Sequence, residues 1–361
     1  MSELTQDQYW MQRAIELAQR GQYSTKPNPN VGCVIVKDGQ VIGEGFHPKA
    51  GQPHAEVFAL RQAGADAQGA TAYVTLEPCA HYGRTPPCAE ALVKAQLKKV
   101  VVACPDPNPL VAGKGVQILR DAGIEVEVGV LQQQAHSLNF GFLKAMATGL
   151  PYVRLKIAAS LDGRTAMASG ESKWITGSAA RQDVQHWRAI SGAVITGIDT
   201  VLVDDCQLNV RDLPNVDLTT VVQPKRVVLD RQGRLPLSAK ILKQPETVMV
   251  MGPFRQELAD LGVIQLEIQP LNALLQTLSQ HYQIYDVLVE AGSTLSTAFL
   301  QAHLVDEMIY YVAPTLLGQS ARAMFNADLI RLAEQLRFKF EQFTPVGDDL
   351  RLRLIPTQET I

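Results

Sequence analysis

The chain has 361 residues, a length that fits two domains at about 150 residues each. Its formal net charge is −3, so there is no basic excess to hold a nucleic-acid backbone by bulk electrostatics. Hydrophobic residues make up 46% and charged residues 19%, a globular balance that argues against disorder, and an aromatic share of 6% makes the cores mostly aliphatic. The five cysteines at 33, 79, 88, 104 and 206 cannot all pair. Met1-Ser2-Glu3-Leu4-Thr5 lacks the basic and apolar regions of a secretion signal, and no apolar run reaches the roughly 18 residues of a membrane span. The expectation is a cytoplasmic protein with reduced thiols, not bound to a membrane.

Thr5 and Gln8 have capping-box spacing, and Trp10, Met11, Ala14, Ile15, Leu17 and Ala18 follow at helical period up to Gly21. Val31–Val36, the Asp38-Gly39 pair and Val41-Ile42 predict a β-hairpin with a type I′ turn. Pro53 precedes a short helix from His54 that stops near Gly64. A strand over 72–76 leads into a loop with Cys79, and Pro86-Pro87 suits the first turn of a helix through Cys88. A strand over 100–103, a helix over 114–122, a strand over 125–128 and a helix over 132–147 complete the first half. After Thr148-Gly149-Leu150-Pro151 the pattern restarts. The expected domains are residues 1–148 and 149–361. Strands are expected over 152–159, 193–196, 226–229, 247–251, 263–268, 286–290, 307–312, 338–343 and 350–355. Helices are expected over 179–189, 271–281 and 294–302. Alternating strands and helices imply layered α/β domains.

The strongest chemical signal is His54-Ala55-Glu56 followed by Pro78-Cys79 and Cys88. One neutral imidazole and two thiolates offset the charge of Zn2+ and leave a fourth tetrahedral position open, the pattern of catalytic zinc. Such a cation lowers the pKa of a bound water towards neutrality. Glu56 stands two residues past a ligand and is the natural proton carrier from water to departing ammonia. His-x-Glu with Pro-Cys-x-x-Cys is the zinc deaminase signature, but here eight residues separate the cysteines instead of two. Cys33, Cys104 and Cys206 lack partners and read as core thiols.

Three stretches carry a resemblance: Pro27-Asn28-Pro29-Asn30-Val31-Gly32, His54-Ala55-Glu56, and Glu77-Pro78-Cys79-Ala80-His81-Tyr82-Gly83-Arg84-Thr85-Pro86-Pro87-Cys88. The chain resembles the bifunctional riboflavin-biosynthesis deaminase/reductases, in which the wide cysteine spacing is typical. The resemblance implies an N-terminal cytidine-deaminase-like three-layer domain. It ties His81 and Arg84 to the ribose phosphate of a pyrimidine nucleotide substrate, and matches Asn28 and His47 to positions of substrate contact.

No Rossmann or Walker fingerprint marks a nucleotide site. Gly43-Glu44-Gly45 and Gly113-Lys114-Gly115 lack the third glycine and the strand–helix placement. The physical candidate is Val287–Leu295, an apolar strand, a small-residue turn and a helix start whose free N–H groups suit a phosphate. By itself such a pattern is mostly structural. Val153–Arg164, Glu171–Gly177 and Thr200–Asp205 with Leu208–Arg211 resemble the reductase half of the same family. That implies a dihydrofolate-reductase-like α/β domain, NADPH as cofactor, and a homo-oligomer formed through this half.

By that resemblance Ala158, Trp174, Thr200 and Asp204 match cofactor positions, as does the turn of Gly292, Ser293, Thr294, Leu295, Ser296, Thr297 and Ala298. Ser172, Arg188, Leu208, Arg211 and Glu290 match substrate positions. Arg188 and Arg211 can pair with a phosphate, and Lys156 is a polar group near the reacting sugar. Asp199, Cys206 and Ser293 depart from the usual glycine, proline and proline.

The implied reactions are hydrolytic deamination of 2,5-diamino-6-ribosylamino-4(3H)-pyrimidinone 5′-phosphate, then NADPH-dependent reduction of its ribosyl group to give 5-amino-6-(5-phosphoribitylamino)uracil. Two other readings compete. One is a deaminase of a nucleic-acid base, disfavoured by the net charge and by the unexplained second half. The other is a structural zinc module fused to a nucleotide sensor, which gains if His81 or His47 completes the metal shell.

Overall fold

The computed structural model describes residues 4–82, 86–109 and 111–357. The chain divides into two compact units, Met1–Leu150 and Pro151–Ile361.

The first unit opens with α1 (Gln6–Gln19), closed at its start by both bonds of the Thr5–Gln8 capping box. The hairpin of β1 (Gly32–Lys37) and β2 (Gln40–Phe46) turns through Asp38 and Gly39, both at positive φ as a type I′ turn requires. Then come α2 (Ala55–Ala63), β3 (Thr71–Leu76), α3 (Cys88–Lys94), β4 (Lys99–Cys104), α4 (Lys114–Asp121) and β5 (Glu125–Val128). The strands form one sheet in the order β2-β1-β3-β4-β5; β1 runs antiparallel to its neighbours and β3, β4 and β5 run parallel.

Strand period sorts the core into two faces. Cys33, Ile35, Val74, Val100 and Val102 pack with Ala55 and Ala59 of α2, Leu92 of α3 and Leu119 of α4. Val34, Val36, Tyr73, Val101 and Ala103 pack with Met11, Ala14 and Ile15 of α1 and with Ala135 and Leu143 beyond β5. The result is three layers, helix on sheet on helix. A fully buried Ile35 or Leu119 contributes about 1.5–3 kcal/mol to holding them.

The single helix expected over 132–147 is two, α5 (Gln132–Ser137) and α6 (Phe140–Thr148). Asn139 at the break is buried. Its side chain accepts from the Asn30 N–H at 2.7 Å and donates to the Asn30 carbonyl at 2.9 Å, while Asn30 Nδ2 donates to Leu138 O at 3.0 Å. A tertiary clasp overrides local helical period here.

The second unit comprises β6 (Tyr152–Ser160), β7 (Arg164–Ala166), α7 (Ser178–Ile190), β8 (Ala193–Gly197), α8 (Ile198–Asp204), β9 (Lys225–Leu229), β10 (Val248–Met251), α9 (Gln256–Asp260) and β11 (Ile264–Leu266). It continues with α10 (Leu271–Tyr282), β12 (Asp286–Val289), α11 (Ser293–Gln301), β13 (Glu307–Ala313), β14 (Arg322–Ala323), β15 (Phe338–Val346) and β16 (Asp349–Pro356). Nine strands form one sheet, β11-β10-β9-β8-β12-β6-β13-β16-β15, parallel as far as β13 and closed by an antiparallel edge hairpin. One of its cores joins Val184 and Trp187 of α7 and Ile198 and Val201 of α8 to Val194, Val228, Val250, Leu288 and Ile309 on the strands. Helix α8 had no counterpart in the sequence pattern, and the strand expected over 263–268 is only Ile264–Leu266. Among the described residues no helix is long and apolar enough to cross a membrane.

Candidate active sites

Three short segments build the first site. His54 is extended at the N-cap of α2. Helix α2 lies close to β2 because Gly43 and Gly45 carry no side chain: a Cβ at either would meet the Ala59 or Ala55 carbonyl oxygen at 2.2 Å. That approach, and not a nucleotide, explains the Gly43-Glu44-Gly45 stretch. Cys79 lies in the loop after β3, and Cys88 is the first residue of α3.

His54 Nδ1 stands 3.3 Å from Cys88 Sγ and 3.7 Å from Cys79 Sγ. The three donor atoms lie within 4.8 Å of one another, the one such cluster among the described residues. The Cys88 N–H donates to Cys79 Sγ at 3.2 Å. The hydrogen bond between the two cysteine side chains holds the Cys79 thiol well below its usual range and pushes Cys88 up. One thiolate thus forms readily, and a second in the same place calls for a cation.

Glu56, on the first turn of α2, is 3% exposed, and its Oε2 has no hydrogen-bond partner. Burial pushes its pKa up. An orphaned buried carboxylate oxygen beside an imidazole and two thiols fits a soft divalent cation with an open position, and the donor set is that of zinc.

His47 is buried, and both ring nitrogens are engaged: Nδ1 with Pro53 O at 3.1 Å and Nε2 with Asn28 Nδ2 at 3.0 Å. Since a carbonyl only accepts, Nδ1 carries the proton and Nε2 accepts from Asn28, which describes a neutral ring. Burial likewise lowers the His47 pKa. His47 is therefore not a metal ligand but packs edge-on against His54, with ring centroids 5.4 Å apart. His81 is exposed and outside the donor cluster. A structural, four-ligand zinc site thus lacks its fourth side chain among the described residues. Arg84 lies outside the described residues.

The second site is a cavity of about 870 Å³ in the second unit. Ala158, Ser172, Trp174, Thr200 and Asp204 line it, as do Arg188, Leu208, Arg211 and Glu290. Of the expected phosphate turn only Gly292 and Ser293 reach it. Helix α11 begins at Ser293, so Ser296 and Thr297 point inward: Ser296 Oγ donates to Ala291 O at 3.3 Å and Thr297 Oγ1 accepts from the Asn326 N–H at 2.8 Å. Thr294 is exposed and accepts from Asn326 Nδ2 at 3.2 Å; Leu295 and Ala298 are half-buried. Trp174 is 68% exposed and is not core; the Arg181 guanidinium sits 4.3 Å above its ring.

The charge in this cavity is organised around Glu290. Arg188 grips it with two bonds, Nε to Oε1 at 2.6 Å and Nη2 to Oε2 at 3.0 Å. Lys156 Nζ lies 3.5 Å from Oε2. Burial acts to raise the Glu290 pKa, but Arg188 and then Lys156 outweigh it and hold it down at about 2. Arg188 thus meets a carboxylate through Nε and Nη2, while its Nη1 donates only to Asn209 O at 3.4 Å. Sheet register creates the arrangement: β12 and β6 run parallel with Val289 beside Leu155, so the next residues, Glu290 and Lys156, fall side by side. Asp199 pairs with Arg234 at 2.9 Å on the surface.

Residues 4–104 match the cytidine and deoxycytidylate deaminase zinc-binding region, and residues 151–352 match the RibD C-terminal domain. The chain is 48% identical over 375 residues to the riboflavin biosynthesis protein RibD of Escherichia coli K12, covering 97% of this chain and 99% of that one. This chain belongs to the RibD family. A solved structure of Acinetobacter baumannii RibD is 82% identical with a TM-score of 0.97, over 99% of this chain and 100% of that one. A Thermotoga maritima structure, titled a diaminohydroxyphosphoribosylaminopyrimidine deaminase/5-amino-6-(5-phosphoribosylamino)uracil reductase, is 34% identical with a TM-score of 0.87. It covers 97% of this chain and 99% of that one. As a RibD family member, the chain joins a cytidine-deaminase-like zinc hydrolase domain to a reductase-type α/β domain.

Proposed function

We propose that the chain catalyses two consecutive steps of riboflavin biosynthesis: deamination of 2,5-diamino-6-ribosylamino-4(3H)-pyrimidinone 5′-phosphate, then reduction of the ribosyl side chain of the product. The unpartnered Oε2 of the buried Glu56 carboxylate, beside His54, Cys79 and Cys88, carries the first assignment. His54, Cys79 and Cys88 hold zinc, which when bound supplies the Lewis acidity that readies water for attack on the amidine-like ring carbon. Glu56 takes a proton at Oε2 and delivers it to the departing amino group, which leaves as ammonia. Its burial suits that task, because a carboxyl raised towards neutrality can both accept and release a proton. His47, neutral and fixed by the Pro53 carbonyl, holds the Asn28 amide against the pyrimidine. His81 and Arg84 take the substrate phosphate.

In the second unit NADPH supplies the hydride when bound, and the protein aligns it and excludes water. Ala158, Trp174, Thr200, Asp204 and the turn at Gly292 and Ser293 receive the cofactor. Lys156, oriented by Glu290, holds the sugar oxygen on which negative charge develops, and Arg188 keeps Glu290 ionised and in place. Arg211, which makes no salt bridge among the described residues, is left to pair with the phosphate, with Ser172 and Leu208 completing the substrate side. Five unpaired cysteines suit a cytoplasmic setting. The exposed stacked pair Phe340 and Phe343 on edge strand β15 suits self-association through this unit.

Incubating the purified protein with the pyrimidine phosphate tests the reading. Ammonia release followed by stoichiometric NADPH oxidation is expected. Ammonia without later NADPH oxidation, or neither, contradicts it.

A further inference from the structure

Glu77 directly follows β3, two residues before the Cys79 ligand, and is 4% exposed. Among the described residues it makes no ion pair. Its carboxylate instead gathers four backbone donors from the segment that ends in the first turn of α4. Oε1 accepts from the N–H of Gly115 at 3.1 Å and of Val116 at 3.3 Å, and Oε2 from Gly113 at 3.1 Å and Asp106 at 3.3 Å. Such bonds to an ionised acceptor are about twice as strong as neutral ones. The Glu77 N–H meanwhile donates to Cys104 O at 2.9 Å, so this residue is tied to β4 by its backbone and to α4 by its side chain.

The next residue is gripped as well. A Cβ at Gly115 would lie 2.0 Å from the Pro78 carbonyl oxygen, so α4 packs directly on the Pro78 peptide. Beyond it, the Cys79 carbonyl accepts from the Ala89 N–H at 3.2 Å and the Cys79 sulfur accepts from the Cys88 N–H. Among the described residues, the side-chain and packing contacts that hold the approach to the Cys79 sulfur come mainly from the segment leading into α4, through Glu77 and Gly115, and from α3.

We propose that Glu77 is the positioning residue of the metal centre. By clamping the first turn of α4 onto the end of β3, it sets the place of the Cys79 sulfur relative to Cys88 and His54, and so governs how tightly zinc is kept. The proposal rests on the zinc reading. It differs from a purely structural role, in which Glu77 would stabilise the start of α4 and leave the metal indifferent. Removal of a group that orients a metal ligand typically weakens metal retention by about 10–100-fold.

The test is zinc release from the full-length wild type and Glu77→Gln to excess 4-(2-pyridylazo)resorcinol, with Co2+-substituted samples compared by absorption. The wild type must first be shown to hold zinc; if it holds none, the zinc reading itself fails and this proposal with it. The expected result is release about 10–100-fold faster from folded Glu77→Gln. Changed thiolate-to-Co2+ bands, a lowered deaminase kcat with little change in KM, and unchanged reductase activity should accompany it. Glu77→Asp, which keeps the charge but falls short of the four donors, should release at an intermediate rate. If Glu77→Gln does not fold, Gly115→Ala, which displaces the Pro78 peptide and leaves the carboxylate intact, should also release zinc faster. Wild-type release and Co2+ spectra in the folded variants overturn the proposal.

Discussion

The two sites bury carboxylates in opposite ways. In the first unit Glu56 Oε2 has no partner, and two thiols crowd an imidazole, so the charge balance there is incomplete without a cation. In the second, Glu290 is equally buried but is gripped by Arg188 and approached by Lys156, so its charge is met from within the chain. The contrast separates the chemistries. A carboxyl left to balance its own burial is raised and can carry a proton; one clamped by a guanidinium is lowered, stays ionised and can only orient. The first unit should therefore fail without metal, and the second should not respond to it.

The largest expected effect is on Glu56. Glu56→Gln keeps the shape and removes the proton carrier, so ammonia release should fall by about two to four orders of magnitude. Zinc content and NADPH oxidation on the deaminated substrate should remain. A zinc-replete variant that deaminates at the wild-type rate would erase the distinction drawn between the two carboxylates.

Arg188→Ala comes next. It leaves Glu290 buried without its main partner, at a cost of about 3–5 kcal/mol to the second unit, and reductase activity should collapse while deamination persists. The same pair has a pH signature. The folded Glu290 pKa is held at about 2 against an ordinary 4.5, so its contribution to stability is complete above about 4.5 and is lost as pH falls towards 2. Denaturant titrations from pH 6 to 3 should show the second unit losing stability, and Glu290→Gln should flatten that slope. An unchanged slope would mean that the clamp does not hold Glu290 ionised.

A smaller effect is expected at Asn139. Replacement by Ala strands the half-buried Asn30 N–H and carbonyl and should cost the first unit about 1–3 kcal/mol, read by its denaturation midpoint, with the second unit unmoved. Smallest is Asp199→Ala. Its ion pair with Arg234 is solvent-exposed, so stability should change by less than about 1 kcal/mol. The KM for NADPH should stay within twofold, and a large rise would place Asp199 in cofactor binding.

The first site was legible because its chemistry is local. His54, Glu56 and Cys88 sit at helix starts and Cys79 in the short loop after a strand, where short motifs write geometry directly into sequence. The second was legible mainly by resemblance. Its central contact, Lys156 with Glu290, arises from the register of β6 against β12, which nothing local in either segment announces. That Arg188 also grips Glu290 was hidden in the same way, because a guanidinium on a helix does not reveal which carboxylate it will meet. The break at Asn139 and the four backbone donors on Glu77 were hidden for the same reason, since their partners lie far along the chain. Helix α8 escaped notice because Ile198–Asp204 is too short to establish a period.

Selective metal removal tests the central claim most directly. The purified protein should contain one zinc per chain. Stripping it with a chelator should abolish ammonia release, leave NADPH oxidation on the deaminated substrate at its original rate, and be reversed by added zinc. A stripped protein that still deaminates, or one whose two activities fall together in the folded state, would contradict the division of labour between an unbalanced metal centre and a self-balanced reductase cavity.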